Sequence, residues 1–420
     1  MKELRIERLG HRGEGVAHDG GARVFAPYAL PGETILAEIE GEQARVVEIV
    51  DASPDRIAPI CPHYAHCGGC AVQALAPARY DEWKRGLVET ALAHAGLRLP
   101  VAPLVHAHGA GRRRVTFHAR MDRGKARVGF MAARSHEIVE IDACPLLAPS
   151  LSGALPAARA IAQILATRGK PLDIAITATR EGMDVDLRGA GPLDAKEVGA
   201  LTEAAQAHDL ARLTNHGRLV ALRRTPHVAV GSASVLLPPG SFLQATQAGE
   251  EALAARVLEA TRGARKVADL FCGVGAFALR LAEQAKVSAY DSAAGAVDAM
   301  RAGARAAPGL KPLEGEVRDL FARPLSAREL SPFDAVVFDP PRAGALAQAT
   351  EIAASDVPLA VAVSCNAQSF ARDAALLISG GFEVKGITPV DQFRYAPHVE
   401  IVAVFSRSSG QKRAKRSLLG

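Results

Sequence analysis

The spacing of hydrophobic and polar positions divides the sequence into three stretches. In the first 52 residues, short strand-like runs (LRIERL, ARVFAP, TILAEIE, ARVVEIV) alternate with turns carried by GHRGEG, GVAHDG and ALPGE. Strands of this length and spacing predict a small β-barrel of the oligonucleotide-binding (OB-like) type, with a plain solubility module as the bland alternative. SPDRIAPICP then reads as a Pro-punctuated linker. Residues 79–96 carry helical periodicity and stop at Gly96. Residues 113–142 read as strands, and 151–235 as a helix followed by strands such as DIAITATR and MDVDLRG, with no recognisable chemistry. From about residue 250 helix and strand alternate through EEALAARVLEAT, KVADLF, AFALRLAEQA, VSAYD, AAGAVDAMRAGARAA, DAVVFD and PLAVAVSC. That alternation predicts an α/β fold with a Rossmann-like, doubly wound parallel sheet binding ligands at the carboxyl ends of its strands. The expected organisation is a barrel over 1–52, a central α+β domain over 53–235 and the doubly wound domain over 236–420.

Composition narrows the class. At 420 residues, 49% apolar and 23% charged, the chain can bury a core in each domain, which excludes general disorder. Its apolar runs, such as Val357–Val363, fall far short of the roughly 18–20 residues of a membrane span. MKELRIERLG has no apolar signal core, so the expectation is a cytoplasmic protein without a membrane partner, and a monomer. Charge is uneven. Residues 112–134 hold Arg112, Arg113, Arg114, Arg120, Arg123, Lys125, Arg127 and Arg134 against Asp122 alone, and 407–420 hold Arg407, Lys412, Arg413, Lys415 and Arg416 with no acid. With a net charge of +5 for the whole, two basic segments stand on a mildly acidic body, a pattern that suits a polyanionic partner or simply a solubilising tail and a basic loop.

Three of the six cysteines, Cys61, Cys67 and Cys70, cluster as C-x5-C-x2-C in CPHYAHCGGC, and Cys144 stands in DACP. In a reducing compartment four such thiols indicate a metal site rather than disulfides. Structural zinc favours shorter paired spacings, whereas an iron–sulfur cluster tolerates one distant ligand and often a Cys-Pro.

The second half carries candidate chemistry at strand ends. ADLFCGVGAFALRLA runs a strand into Gly273-x-Gly275 and a helix, and Asp291 ends the next strand, where a carboxylate can bind ribose hydroxyls. Position 278 is Ala, so the third glycine of a dinucleotide site is missing, which tilts the reading toward S-adenosylmethionine, a ligand with no pyrophosphate to seat. DPPRAG places Asp339 after another strand, with Arg342 where a base-stacking aromatic would serve an amino-methyltransferase. Cys365, in SCNAQSFARD, ends the strand LAVAVS at the ligand-facing edge. Its thiol would ordinarily titrate near 8.5, with nearby positive charge raising the thiolate fraction. Glu400 opens the last strand in the apolar run PHVEIVAVF, where partial desolvation would raise its pKa toward that of a working base.

Together these residues resemble the uracil-5 RNA methyltransferase family over nearly the whole chain. The resemblance runs through GHRGEGVA and ALPGE, CP-x4-CGGC-x2-Q, IDACPLL, SFLQAT, DLFCGVGAF, DPPRAG, SCN…ARD and HVEIV. It implies a TRAM-like RNA-binding barrel, a 4Fe-4S cluster on Cys61, Cys67, Cys70 and Cys144, and a donor site of Gln244, Phe271, Gly273, Gly275, Asp291, Asp319 and Asp339. Cys365 matches the family nucleophile, Glu400 its base, and Asp339 a further catalytic position. Ala367, Asp291, Thr246 and Ala276 depart from the pattern without removing a reactive group. The implied activity is methylation of uridine carbon-5 in RNA, ribosomal ahead of transfer RNA, through a Cys365 adduct at carbon-6 and proton removal by Glu400. A non-catalytic iron–sulfur RNA-binding protein and a methyltransferase for another base remain the alternatives.

Overall fold

A computed structural model describes residues 1–407. The basic residues Lys412, Arg413, Lys415 and Arg416 lie outside that range. Residues 2–51 form a six-stranded sheet ordered Lys2–Arg5, Thr34–Glu40, Gln43–Asp51, Ala22–Ala26, Gly15–Asp19 and Arg8–Leu9. Alternate residues along these strands, among them Leu4, Ala17, Val24, Ile35 and Ala37, point into one small core, as a period of two requires. A seven-stranded sheet spans residues 114–222, mostly antiparallel, with Gly182–Arg188 and Leu210–Asn215 running parallel. Helices Ala154–Ile164 and Ala195–Ala207 belong to the same part of the chain; Leu155, Ile161 and Leu201 from them share a core with Phe117, Ile174 and Val185 of the sheet.

The third sheet has eight strands in the order Leu313–Val317, Lys286–Asp291, Lys266–Leu270, Ala335–Phe338, Leu359–Ser364, Glu400–Ser406, Glu383–Asp391 and Val105–His106. The first five are mutually parallel, and Glu400–Ser406 is inserted antiparallel between Leu359–Ser364 and Glu383–Asp391. Val267, Val287, Val337 and Val361 serve one apolar cluster and Ala268, Leu270, Val336 and Phe338 the other, so both faces are covered. Chain order reverses between Lys266–Leu270 and Ala335–Phe338. That reversal opens a crevice at the carboxyl edge, the place where open α/β sheets bind ligands.

The sheet assigned by sequence to 236–420 takes its edge strand from residues 105–106, and helix Pro77–His94 shares an apolar cluster with helix Ala367–Ser379 through Val88, Leu92, Phe370 and Ala374. A further apolar cluster ties the three sheets together through Leu30, Val72, Tyr80, Leu146 and Tyr395. The helix expected over AFALRLAEQA is only the turn Ala278–Leu281, because the chain must reach the strand beginning at Lys286 within four residues. Among the described residues no helix is long and apolar enough to cross a membrane.

Candidate active site

Four chain segments converge on the switch-point crevice. After Leu270 the backbone turns through three left-handed residues, Phe271 (φ 63°), Gly273 (φ 54°) and Gly275 (φ 92°). A Cβ at Gly275 would stand 2.7 Å from Met300 Cγ, so that glycine is required by packing. One at Gly273 would meet nothing of the protein, leaving its backbone open toward the crevice. Asp291, at the end of the neighbouring strand, closes this turn by accepting from Gly273 N (2.9 Å) and Ala293 N (2.8 Å). Asp319 is exposed beyond the next strand and accepts from Phe321 N (2.9 Å), and the Phe321 ring lies 5.5 Å from that of Phe271.

The reactive groups sit on the other side of the switch. Ser364 pairs with Ile401 across the antiparallel insertion, so the same register carried one step further sets Cys365 opposite Glu400. An antiparallel last strand is what allows its first residue to reach the carboxyl edge of the parallel ones. Cys365 fills the single-residue gap between strand Leu359–Ser364 and Asn366, whose side chain caps helix Ala367–Ser379 by accepting from Gln368 N and Ser369 N. The thiol is half-buried and Glu400 fully buried.

Glu400, Gln392, Gln244 and Asp339 form one hydrogen-bonded chain. Gln392 Nε2 donates to Glu400 Oε1 (3.0 Å) and to Gln244 Oε1 (2.6 Å), and Gln244 Nε2 donates to Asp339 Oδ2 (3.2 Å). Burial pushes Glu400 up to about 8, helped by the charge of Asp339 and opposed by Gln392, Arg342 and Lys84. Burial likewise brings Asp339 to about 7, against the Gln244 hydrogen bond. The Cys365 thiol is pushed up to about 11 by burial and then by Glu400 and Asp339, which outweigh Arg342. Arg342 is the positive charge that acts on this thiol, and burial with the two carboxyls outweighs it, so the thiol needs a proton acceptor to react. Arg342 donates to His398 Nε2 (3.1 Å), and burial and that guanidinium hold the imidazole neutral, down to about 4.

Behind these groups lies an ion pair that the sequence does not announce. Lys84 Nζ donates to Asp391 Oδ1 (2.8 Å) and to the carbonyls of Phe393 and His398, so one buried ammonium fixes both ends of the loop before Glu400. His108 (2.7 Å) and Tyr80 bond the other Asp391 oxygen. Burial works against charge on Asp391, yet these three partners hold its carboxyl well below the usual range. Gln392 and Lys84 escaped the sequence reading; a polar pair, Asp391-Gln392, ending a strand at the carboxyl edge was the available signal.

The basic segment 112–134 mostly serves the fold. Arg113 donates to Gln244 O (3.0 Å) and pairs with buried Glu250, and Arg114 donates to Leu243 O (2.7 Å), so both clamp the loop that carries Gln244. Arg120 bonds His136 O, Arg127 pairs with Glu140, and Arg134 reaches Glu14, just before strand Gly15–Asp19 of the first sheet. Arg123 and Lys125, at an exposed hairpin turn, are the cations of this segment left open to a partner. Arg407, from the basic tail, is spent on the carbonyls of Ala353, Ser355, Val357 and Gly380.

Cys61, Cys67, Cys70 and Cys144 line one cavity of about 270 Å³ with Tyr64, Arg112 and Leu146. The loop is moulded closely, since a Cβ at Gly68 would lie 2.8 Å from Met131 O. Burial raises Cys67, Cys144 and Cys70, the last to about 11. Directly after Cys70, Ala71 N (2.8 Å) and Val72 N (3.3 Å) donate to Tyr395 O, which ties the cysteine loop to the loop preceding Glu400. His106, His108 and Asp391 also bring three metal-ligating atoms within 4.8 Å of one another, although Asp391 is already engaged by Lys84 and Tyr80.

No family model matches the chain. It is 44% identical over 416 residues to an uncharacterized RNA methyltransferase of Caulobacter vibrioides, covering 97% of this chain and 100% of the relative. It is 33% identical over 434 residues to the 23S rRNA (uracil(1939)-C(5))-methyltransferase RlmD of Chromohalobacter salexigens, covering 98% and 90%. The fold is that of the Pyrococcus abyssi tRNA (uracil-54, C5)-methyltransferase solved with S-adenosyl-L-homocysteine, with a TM-score of 0.73 at 23% identity over 96% of this chain and 99% of that one. With a topological switch point, a thiol and a buried carboxylate gathered at one sheet edge, and relatives that span its length, the chain belongs to the RNA methyltransferases.

Proposed function

We propose that the protein transfers a methyl group from S-adenosylmethionine to carbon-5 of a uridine in RNA, ribosomal RNA ahead of transfer RNA. The observation that carries this reading is the register that sets Cys365 beside buried Glu400 at the ligand-binding edge. The ribosomal assignment is supported by the RlmD relative. Phe271, Gly273, Gly275, Asp291 and Asp319 border the crevice that would hold the donor, which supplies an electrophilic methyl when bound.

Uracil carbon-5 is a poor nucleophile, and the residues of this site can change that. The Cys365 thiol gives up its proton to Asp339 and its sulfur bonds to carbon-6, while the carbon-5–carbon-6 π pair moves into an enolate. Protonated Asp339 and the second hydrogen of the Gln244 amide would donate toward the enolate oxygen and stabilise the negative charge that develops there. Carbon-5 then takes the methyl group. Glu400 removes the carbon-5 proton, the electron pair re-forms the ring double bond, and the sulfur leaves and recovers its proton from Asp339. The buried, high-pKa Glu400 is matched to removing a carbon acid's proton near neutral pH. A base inside an RNA stack must first be turned out, at a cost of a few kcal/mol. Arg123, Lys125 and the barrel of residues 1–52 would supply part of that through phosphate contacts.

Cys61, Cys67, Cys70 and Cys144 would hold a 4Fe-4S cluster, which would cross-link the loop 61–70 to Cys144 and take no part in the methyl transfer. In this division of labour residues 1–52 would be a TRAM-like RNA-binding barrel, and the 236–420 domain would carry the methyl transfer with residues 77–106 contributing a helix and an edge strand to it. The test uses labelled donor, RNA from a host lacking the modification, wild type and Cys365→Ala, with the products digested to nucleosides. Label in 5-methyluridine that disappears in the variant is expected. Label in another nucleoside that survives it would overturn the reading, and no label despite intact donor binding would favour a non-catalytic RNA-binding protein. Iron and acid-labile sulfide in anaerobically purified protein test the cluster, and zinc alone would refute it.

A further inference from the structure

We propose that Gln392 is a positioning residue that keeps Glu400 oriented and ionisable for removal of the carbon-5 proton, through a hydrogen-bond chain of fixed direction. The inference deepens the uracil-5 reading and rests on it.

The direction follows from one unambiguous donor. Thr246 N–H can only donate, and it points at Gln392 Oε1 (3.3 Å). Gln392 Nε2 must therefore face the other way, where its two hydrogens serve Gln244 Oε1 and Glu400 Oε1. With its oxygen thus occupied, Gln244 has to present its own Nε2 to Asp339. Within the chain each carboxyl group consequently accepts, Glu400 through Oε1 and Asp339 through Oδ2. The order is backbone to Gln392, Gln392 to both Gln244 and Glu400, and Gln244 to Asp339.

The frame around Gln392 is rigid. Gln392 is 1% exposed, and it packs so closely on Gly249 that a Cβ there would lie 2.6 Å from Gln392 Oε1. Thr246 is itself held by its hydroxyl, which donates to Ala107 O (2.6 Å) and accepts from Gly249 N (2.8 Å) as the cap of helix Gln247–Ala260. On the other side Gln392 follows Asp391, fixed by Lys84 and His108. The charged and titratable groups that bear on Glu400 are Asp339 and Cys365 across the crevice, Arg342 on the loop after Asp339, and Lys84 from helix Pro77–His94. Burial and Asp339 favour its protonated form, and Gln392 is the hydrogen-bond donor that opposes them. Without that donor, Glu400 would stay protonated to higher pH and would be free to rotate away from carbon-5. The methyl-transfer step, which needs Cys365, would be less affected than the release step.

The experiment follows the covalent RNA–protein adduct in single-turnover reactions between pH 6 and pH 9.5, with wild type, Glu400→Gln, Gln392→Met and Gln392→Glu. Gln392→Met keeps length and volume but removes the donor; Gln392→Glu keeps shape and replaces the amide with an acid. Donor binding and melting curves confirm that each variant is folded. The expected result is an adduct that forms within a few-fold of the wild-type rate and resolves about tenfold or more slowly. The pH midpoint for its resolution should move upward, furthest in Gln392→Glu. Resolution at the wild-type rate with an unchanged midpoint in both Gln392 variants would overturn the proposal, while persistence of adduct in Glu400→Gln would leave the uracil-5 reading standing. Absence of adduct in every protein, Glu400→Gln included, would overturn both.

Discussion

Replacing Lys84 by Met strikes the buried ion pair behind the reactive groups. Lys84 and Asp391 are both 0% exposed, and the ammonium makes its ion pair at 2.8 Å plus two carbonyl hydrogen bonds. Breaking a buried pair by removing one partner typically costs ~3–5 kcal/mol, because the remaining charge is left uncompensated. Asp391 would keep His108 and Tyr80, which places the expected loss toward the lower end, about 3 kcal/mol. With a urea slope of ~1–3 kcal/mol per molar, that is a midpoint lower by about 1 M or more. The sole tryptophan, Trp83, is the neighbouring residue, with the Lys84 ammonium 5.8 Å from its ring, so intrinsic fluorescence reports on this region directly. Lys84→Met combined with Asp391→Leu should recover part of the loss, since the stranded carboxylate is then gone. An unchanged midpoint in the single variant, or a double variant worse than both singles combined, would refute the claim that charge compensation holds this loop.

The remaining expectations concern pH, the donor turn and the arginines. Because Glu400 is held near 8 in the folded protein against about 4.3 when free, the folded state retains a proton that the unfolded state loses, and stability falls as pH rises through that window. Glu400→Gln should therefore melt higher than wild type at pH 8, by the equivalent of a few kcal/mol, with the difference shrinking toward pH 5 in parallel melts. Gly275→Ala should lower thermal stability because its methyl group meets Met300, whereas Gly273→Ala should weaken S-adenosylmethionine binding in titration calorimetry while changing the melt by only about 1–2 kcal/mol. Arg113→Ala should lower both stability and turnover by loosening the Gln244 loop, while Arg123→Ala with Lys125→Ala should leave the melt unchanged and reduce RNA affinity and its salt dependence.

How much of this was legible in the sequence depended on whether a residue's role is written in its own neighbourhood. KVADLF, VSAYD, DAVVFD and PLAVAVSC are short apolar runs, and each contains the observed strand Lys266–Leu270, Lys286–Asp291, Ala335–Phe338 or Leu359–Ser364, or closely overlaps it. Leu313–Val317 (LEGEV) is largely exposed at the sheet edge and has no apolar signature, and Glu383–Asp391 is interrupted by Gly386 and Pro389. Cys365 and Glu400 could be singled out because each stands at the end of an apolar strand. Their adjacency required the antiparallel insertion, a tertiary fact. The basic run at 112–114 was misjudged for the same reason. Three consecutive arginines look like a surface patch until Glu250 and the carbonyls of Leu243 and Gln244 are brought to Arg113 and Arg114 from 130 or so residues away, and the Phe393 ring to Arg112. Beyond the polar pair Asp391-Gln392 at a strand end, nothing in the sequence marks Gln392 or Lys84, and their meaning lies in partners that only folding supplies.

The central claim is that Cys365 bonds to the base and Glu400 releases it. RNA in which uridine is replaced by 5-fluorouridine offers the most direct test, because fluorine cannot be removed from carbon-5 as a proton is. Incubated with this RNA and S-adenosylmethionine, the wild-type protein should accumulate a stable adduct whose mass includes the methyl group and whose digestion maps the nucleotide to Cys365. A Cys365→Ala protein should form none. Failure of the wild type to form an adduct while it methylates ordinary RNA, or an adduct mapped to another residue, would contradict the account.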